Sequence, residues 1–129
     1  MEHPQKILLD TSILIEILDH KKHLELLQAE EVYLSIITIY EYIRYKKDKK
    51  FYKTKLEQAF TIIQLDNNTL EKAAEIFTKL KEKGTPISEN DIYIAATALT
   101  HNLQLYTKDT DYQKITKIEP KLKLKLIKQ

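Results

Sequence analysis

The sequence predicts an α/β protein of three layers, helix over sheet over helix, around a mainly parallel sheet of about five strands. Short apolar runs of strand length (Lys6-Ile-Leu-Leu9, Glu31-Val-Tyr-Leu-Ser35, Ile62-Ile-Gln-Leu65 and Leu103-Gln-Leu-Tyr-Thr107) are separated by stretches whose apolar residues recur at helical spacing. The first run is continuous, as in a strand covered on both faces. Lys121-Leu-Lys-Leu-Lys-Leu-Ile127 instead alternates at period two, which predicts a half-buried edge strand with its lysines outside.

After the first strand ends at Asp10, Thr11-Ser12 opens a helix through Ile13, Leu14, Ile17 and Leu18. A second helix is expected from about His20 to Glu30, carrying Leu24, Leu26 and Leu27. The next strand leads into a helix from about Ile36, with Ile37, Tyr40, Ile43 and Arg44 on one face near Glu41. Leu56, Ala59, Phe60 and Ile63 suggest a helix running into the short third strand. Asn67-Asn68 begin an amphipathic helix with Leu70, Ala73, Ala74, Phe77 and Leu80 inward. Gly84-Thr85-Pro86 is a turn signal, and Ser88 is a candidate N-cap for a very apolar helix through Ile92, Ala95, Ala96 and Leu99. Strands separated by helices at this rhythm are βαβ units.

Composition narrows the class. The 129 residues fit one domain, 1–129, and 43% hydrophobic with 31% charged residues describes an ordinary globule. No apolar run approaches the roughly 20 residues of a membrane span. Met-Glu-His-Pro-Gln-Lys lacks the basic-then-apolar plan of a signal peptide, so a cytoplasmic location without membrane contact is expected. There is no cysteine to form a disulfide or a thiolate metal site. Of His3, His20, His23 and His101, only His20-x-x-His23 has a zinc-like spacing, and its polar setting is expected to be solvated surface. The net charge of +2 combines 20 lysines with a single arginine, Arg44, and neither demands nor excludes nucleic acid.

In an open parallel sheet the site lies beyond the carboxyl ends of the strands, and five acids fall there. Asp10 follows the first strand, Glu41 lies in the turns after the second, Asp91 starts the apolar helix, and Asp109 and Asp111 follow the fourth strand. Each has an ordinary alternative explanation: Asp10 and Asp109 as N-caps, Glu41 as a capping-box partner of Thr38, Asp91 as that of Ser88, Asp111 as a solvated loop residue. If the acids converge, their repulsion requires protons or a cation. Oxygen ligands without His or Cys favour Mg²⁺ or Mn²⁺, and such ions suit phosphodiester hydrolysis.

Four motifs carry a resemblance: Leu8-Leu-Asp10-Thr-Ser12, Ser35-Ile-Ile-Thr-Ile-Tyr-Glu41, Gly84-x-x-Ile-x-x-x-Asp91-x-x-Ile-Ala-Ala-x-Ala98, and Tyr106-Thr-x-Asp109-x-Asp111-Tyr112. In this order they resemble the PIN domain family, and within it the VapC-type ribonuclease toxins of toxin–antitoxin pairs. The resemblance implies a Mg²⁺- or Mn²⁺-dependent endoribonuclease. Asp10, Glu41 and Asp91 match the family's first three acids, and the fourth is either Asp109 or Asp111. The metal would be held by Asp10, Asp91 and Asp109 or Asp111, with Glu41 as ligand or general base and Thr11, Ser12 and Thr107 as supporting hydroxyls. Tyr112 stands where phenylalanine is commoner and is expected to leave the chemistry unaffected.

Around such an acidic site basic residues must hold the RNA backbone, and Arg44, Lys46 and Lys47 are the first candidates, with Lys49 and Lys50 beyond them. Tyr42, Tyr45 and Tyr52 among them offer stacking faces. By resemblance the same region is the clamp for an antitoxin peptide, and the protein is expected to pair as a homodimer. The alternative in another class is a PIN-like RNA-binding or RNA-processing module without a toxin role. A response-regulator receiver lacks its acidic pair here, and a haloacid-dehalogenase-like phosphatase lacks its Asp-x-Asp, since Asp10-Thr-Ser follows the first strand.

Overall fold

A computed structural model describes residues 5–128. In chain order the elements are β1 (Lys6–Leu9), α1 (Thr11–His20), a 3₁₀ segment (Leu24–Gln28), β2 (Glu31–Ser35), α2 (Ile36–Ile43), α3 (Lys49–Ala59), β3 (Thr61–Ile63), α4 (Asn67–Lys83), α5 (Glu89–Thr100), β4 (Gln104–Thr107), α6 (Tyr112–Ile118) and β5 (Lys123–Leu126). The five strands form one wholly parallel sheet in the order β3-β2-β1-β4-β5. From the central β1 the chain winds outward to β3 on one side and then crosses to β4 and β5 on the other. The direction of winding therefore reverses between β1 and β4, the position at which open α/β sheets open a crevice.

Period-two alternation divides the core into two layers. Ile7 and Leu9 of β1 pack with Ile13, Leu14, Ile17, Leu34, Ile39, Leu56 and Tyr106 on one face. Leu8 points to the other, with Ile76, Leu80, Ile94, Ala95, Leu105, Tyr112 and Ile115. Helices α1 and α3 cover the first face and α4, α5 and α6 the second. The alanines of α5 let that helix lie close to its neighbours, and Ile94, Ala95 and Ala96 are wholly buried. As read from its alternation, β5 is an edge strand with Lys123 and Lys125 exposed.

Three expectations need correction. The helix expected from His20 to Glu30 is a short 3₁₀ segment, because Lys21 and His23 take left-handed backbone conformations (φ 54° and 56°) that interrupt helical hydrogen bonding. The third strand runs from Thr61 rather than Ile62 and ends at Ile63. On α2, Tyr40 and Arg44 do share a face, and it is exposed, while the buried residues are Thr38, Ile39 and Tyr42. On α4 they are Thr69, Ala73, Ile76 and Leu80. Leu70, Ala74 and Phe77 are exposed, with Leu70 at 44% and Phe77 at 48%, so the apolar stripe of α4 is wider than the face it buries. Gly84 ends α4 in the left-handed region (φ 69°), its N–H bonded to the carbonyls of Leu80 and Lys81. A side chain there would be strained, which explains the chain's one glycine.

Candidate active site

Asp10 leaves β1 at its carboxyl end, beside β4, and its N–H bonds to the Tyr106 carbonyl at 2.9 Å. It occupies the N-cap position of α1 but makes no side-chain cap hydrogen bond. Instead the carboxylate turns into the protein, only 4% exposed, and is met by hydroxyls. Oδ2 accepts from Thr107 Oγ1 at 2.7 Å and from Ser12 Oγ at 2.9 Å, while Oδ1 lies 3.1 Å from the Tyr112 hydroxyl. The N-cap explanation therefore does not account for Asp10. Burial raises its pKa above the ordinary carboxylate value, opposed by the hydrogen bonds from Thr107, Ser12 and Tyr112.

Asp91 reaches the same hydroxyl from α5. Ser88 caps that helix, accepting from the Asp91 N–H at 3.2 Å, and the Asp91 carboxylate sits 3.1 Å from the Tyr112 hydroxyl through Oδ1. Burial and the neighbouring Asp10 carboxylate push Asp91 up to about 6, with Asp109 adding to the rise and the Tyr112 bond working against it. Such a rise is the mark of crowded like charge in a partly dry site.

Glu41, one turn from the end of α2, is held from two sides. Thr11 Oγ1 donates to Oε1 at 2.6 Å and Asn90 Nδ2 donates to Oε2 at 3.1 Å. These donors are the immediate neighbours of Asp10 and Asp91, so the three acids share one constellation. Thr38 does not cap α2; that role is taken by Ser35, whose hydroxyl accepts from the Ile37 N–H. Thr38 is buried, with its oxygen 3.2 Å from that of Thr11.

The loop after β4 carries the remaining acids. Thr107 bridges Asp10 and the Asp109 N–H, which donates to Thr107 Oγ1 at 3.0 Å. Asp109 Oδ1 accepts from the Asp111 N–H, and Asp109 is close enough to Asp91 to raise its pKa. Asp111 leans away: its carboxylate is 47% exposed and lies 3.4 Å from Lys114. The geometry therefore associates Asp109 more closely than Asp111 with the centre.

Sequence reasoning missed three participants. Asn90 carries no motif signal beyond adjacency to Asp91. Tyr112 was expected to be a bystander, yet its hydroxyl touches both aspartates. Glu16, one turn after Ser12 on α1, is 7% exposed and accepts from Lys108 Nζ at 2.8 Å and His23 Nε2 at 2.7 Å. Those two donors pull Glu16 down to about 2. Lys108, between Thr107 and Asp109, is thus directed to Glu16. His23 is tied to the same carboxylate rather than simply solvated.

Among the described residues no three His, Cys, Asp or Glu side chains form a ready-made ligand set. Mg²⁺ does not require one, since it is commonly held by one or two carboxylates with water and substrate phosphate completing the octahedron. Asp10 and Asp91 supply such a pair of oxygen ligands, and burial, which raises both pKa values, together with the neighbouring carboxylates that raise Asp91 further, is the condition a divalent cation relieves. The residues fit the ion.

The candidate RNA-binding residues behave differently from one another. The Arg44 guanidinium lies 5.4 Å from the ring centre of Tyr40 and 5.0 Å from that of Tyr45, an exposed cation–π stack. Tyr45 is 85% exposed. Lys46 is committed locally, over Tyr42 and Tyr52 and 3.7 Å from Asp19, while Lys47 is exposed.

The fold and site define an α/β protein with a crowded, partly buried carboxylate centre at the switch point of a parallel sheet. A family model, PIN domain, matches residues 7–118, and the chain belongs to that family. It is similar to Ribonuclease VapC1 of Methanocaldococcus jannaschii, with 37% identity over 106 residues, covering 81% of this chain and 76% of that protein. It is also similar to Toxin FitB of Neisseria gonorrhoeae, with 34% identity over 122 residues, covering 81% and 88%. Among solved structures it matches a chain of a toxin–antitoxin complex from Klebsiella pneumoniae at TM-score 0.64 and 28% identity, covering 82% of this chain and 89% of that one.

Proposed function

We propose that the protein is a Mg²⁺- or Mn²⁺-dependent endoribonuclease, the toxin of a toxin–antitoxin pair. The observation that carries the reading is the convergence of Asp10, Asp91 and Glu41 at the carboxyl edge of the sheet, with Tyr112, Thr11 and Asn90 joining them. The similarity to a ribonuclease and to a toxin supports it.

Asp10 and Asp91 would hold the cation, with Asp109 behind them and Asp111 at the rim. When bound, the ion would polarise a non-bridging phosphate oxygen and offset the negative charge that builds on the phosphoryl oxygens. Asp10 is restricted to one useful oxygen, because Oδ2 is engaged by Thr107 and Ser12. Glu41, fixed by Thr11 and Asn90, orients the attacking water and takes its proton as general base. In-line attack leaves a 5′-phosphate and a 3′-hydroxyl. Arg44 and Lys47 sit on the exposed side of α2 and the turn after it, suited to the RNA backbone, with Lys46 adding charge from behind.

An antitoxin segment has a receptive surface in the same region. Tyr40 (56% exposed) and Tyr45 are large side chains left open around Arg44, and Phe51 (50%) is open on α3, as an amphipathic segment requires. A second copy of the chain would cover the stripe Leu70, Ala74 and Phe77, which borders a cavity of about 260 Å³ lined also by Ile92 and Tyr93. No helix among the described residues is long and apolar enough to cross a membrane, and the cytoplasm is the proposed location.

The test is cleavage of a labelled structured RNA with Mg²⁺, Mn²⁺ or EDTA, beside the Asp10→Asn and Asp91→Asn proteins. Cleavage that requires the metal and both aspartates supports the reading. A folded Asp91→Asn protein that cuts at an undiminished rate overturns it.

A further inference from the structure

The Tyr112 side chain is wholly buried, and it is the first residue of α6, directly after the loop that carries Asp109 and Asp111. Its hydroxyl stands at equal distance, 3.1 Å, from Oδ1 of Asp10 and Oδ1 of Asp91. Asp10 comes from β1 and Asp91 from α5, two elements that otherwise approach one another through apolar packing. Among the described residues, Tyr112 is the one side chain hydrogen-bonded to both.

A phenol has a single proton for these two acceptors. The equal 3.1 Å separations fit a three-centre bond, in which that one proton is shared between the two Oδ1 atoms and draws both toward the phenol oxygen. Asp10 Oδ2 is already occupied by Thr107 and Ser12, so Oδ1 is the oxygen that Asp10 can offer to a ligand. The phenol thus touches the atom through which Asp10 would act. The ring is confined among Leu105, Ile115 and the alanines of α5, so the hydroxyl has little freedom to move.

We propose that Tyr112 is a positioning residue of the acid centre: its hydroxyl pins Oδ1 of Asp10 and Oδ1 of Asp91 to one vertex and presents them, already aligned, to a divalent cation. The inference rests on the reading that these two aspartates hold the cation. Partners that orient metal ligands in this way are commonly worth 10- to 100-fold in affinity. Because Tyr112 opens α6, the same contact ties the Asp109 loop to the pair.

The experiment is a Mn²⁺ titration followed by electron paramagnetic resonance on wild type, Tyr112→Phe, Asp10→Asn and Asp91→Asn, each checked for native circular dichroism. The expected result is that Tyr112→Phe binds Mn²⁺ about tenfold more weakly. Its RNA cleavage should recover most of the wild-type rate at saturating Mn²⁺, since alignment rather than chemistry is lost. A folded Tyr112→Phe protein with wild-type Mn²⁺ affinity overturns the proposal while leaving the aspartates' role intact. If wild type binds no Mn²⁺, or both aspartate variants bind it unchanged, the cation-site reading and the proposal fall together. Should Tyr112→Phe not fold, wild-type protein labelled with ¹³C at tyrosine Cζ carries the test. The resonance of the most deeply buried tyrosine must then move as Mg²⁺ is added, and one unmoved at saturation overturns the proposal.

Discussion

Asn90 Nδ2 donates to Glu41 Oε2 at 3.1 Å, joining residues 49 positions apart and fixing the acid of α2 to the helix that carries Asp91. With Thr11 holding the other oxygen, Glu41 is left little rotational freedom. Replacing Glu41 by Gln should reduce the cleavage rate by about 10²-fold or more, the usual worth of a general base. Asn90→Ala keeps that base but loosens it, and should cost about 10-fold in kcat with little change in melting temperature. Steady-state cleavage kinetics on the two proteins checks this; an Asn90→Ala enzyme with wild-type kcat would show the bond to be structural only.

The pH dependence of stability should report the crowded acids. Burial and the Asp10 carboxylate push Asp91 up to about 6 in the folded protein, from the 3.8 of an unperturbed aspartate. Between those values the folded state holds a proton that the unfolded chain has released, so stability must fall as pH rises through this window. In EDTA the melting temperature should therefore decline from about pH 4 to pH 6.5, and Asp91→Asn should flatten the decline. Mn²⁺ should raise the melting temperature above pH 6, where it replaces the lost proton. A metal-free stability that climbs across the same range would contradict the arrangement.

Glu16 shows the opposite linkage. Lys108 and His23 pull it down to about 2 in the folded protein, from the 4.5 of an unperturbed glutamate. Its contribution is therefore present above pH 4.5 and is lost as pH falls toward 2. Glu16→Gln should destabilise the protein at pH 7 by about 1–2 kcal/mol, reduced toward the lower figure because Lys108 is partly solvated. Urea unfolding at pH 7 and pH 3 measures it, and the gap between the two proteins should be clearly smaller at the lower pH. Freed from Glu16, Lys108 can swing toward the acids, so Mn²⁺ affinity should also fall.

The exposed stripe of α4 tests the homodimer. If a second copy covers Leu70, Ala74 and Phe77, Phe77→Lys should convert the protein from dimer to monomer in light scattering while leaving its circular dichroism unchanged. A dimer that survives the substitution would place the interface elsewhere.

At the patch on α2, Arg44→Ala should weaken RNA binding and reduce its salt dependence by about one counterion. Filter binding at several salt concentrations checks this. An unchanged salt slope would assign Arg44 to the protein partner alone.

Much of this protein was legible in the residue order. Local patterning identified five strands and most helices, because burial on both faces of a parallel sheet favours short apolar runs and half-burial at its edge favours the alternation of β5. Gly84 and Ser88 marked their turn and cap, since backbone conformation at those points restricts residue choice directly. The acids were placed for the same reason: strand ends in a βαβ chain lead to one edge, so Asp10, Glu41, Asp91, Asp109 and Asp111 could be expected near one another from order alone, although packing turns Asp111 outward toward Lys114. Periodicity did not decide which side of α2 and α4 is buried, because Tyr40, Leu70 and Phe77 are apolar whether covered or not. Nor did it show the left-handed turns at Lys21 and His23, which are neither glycine nor asparagine. Contacts between distant segments were left to the tertiary structure: Asn90 with Glu41, Lys108 with Glu16, and the Tyr112 hydroxyl between two aspartates. Side-chain hydrogen bonds depend on distances of a few tenths of an ångström between elements far apart in the chain, and that precision is set only when the layers pack.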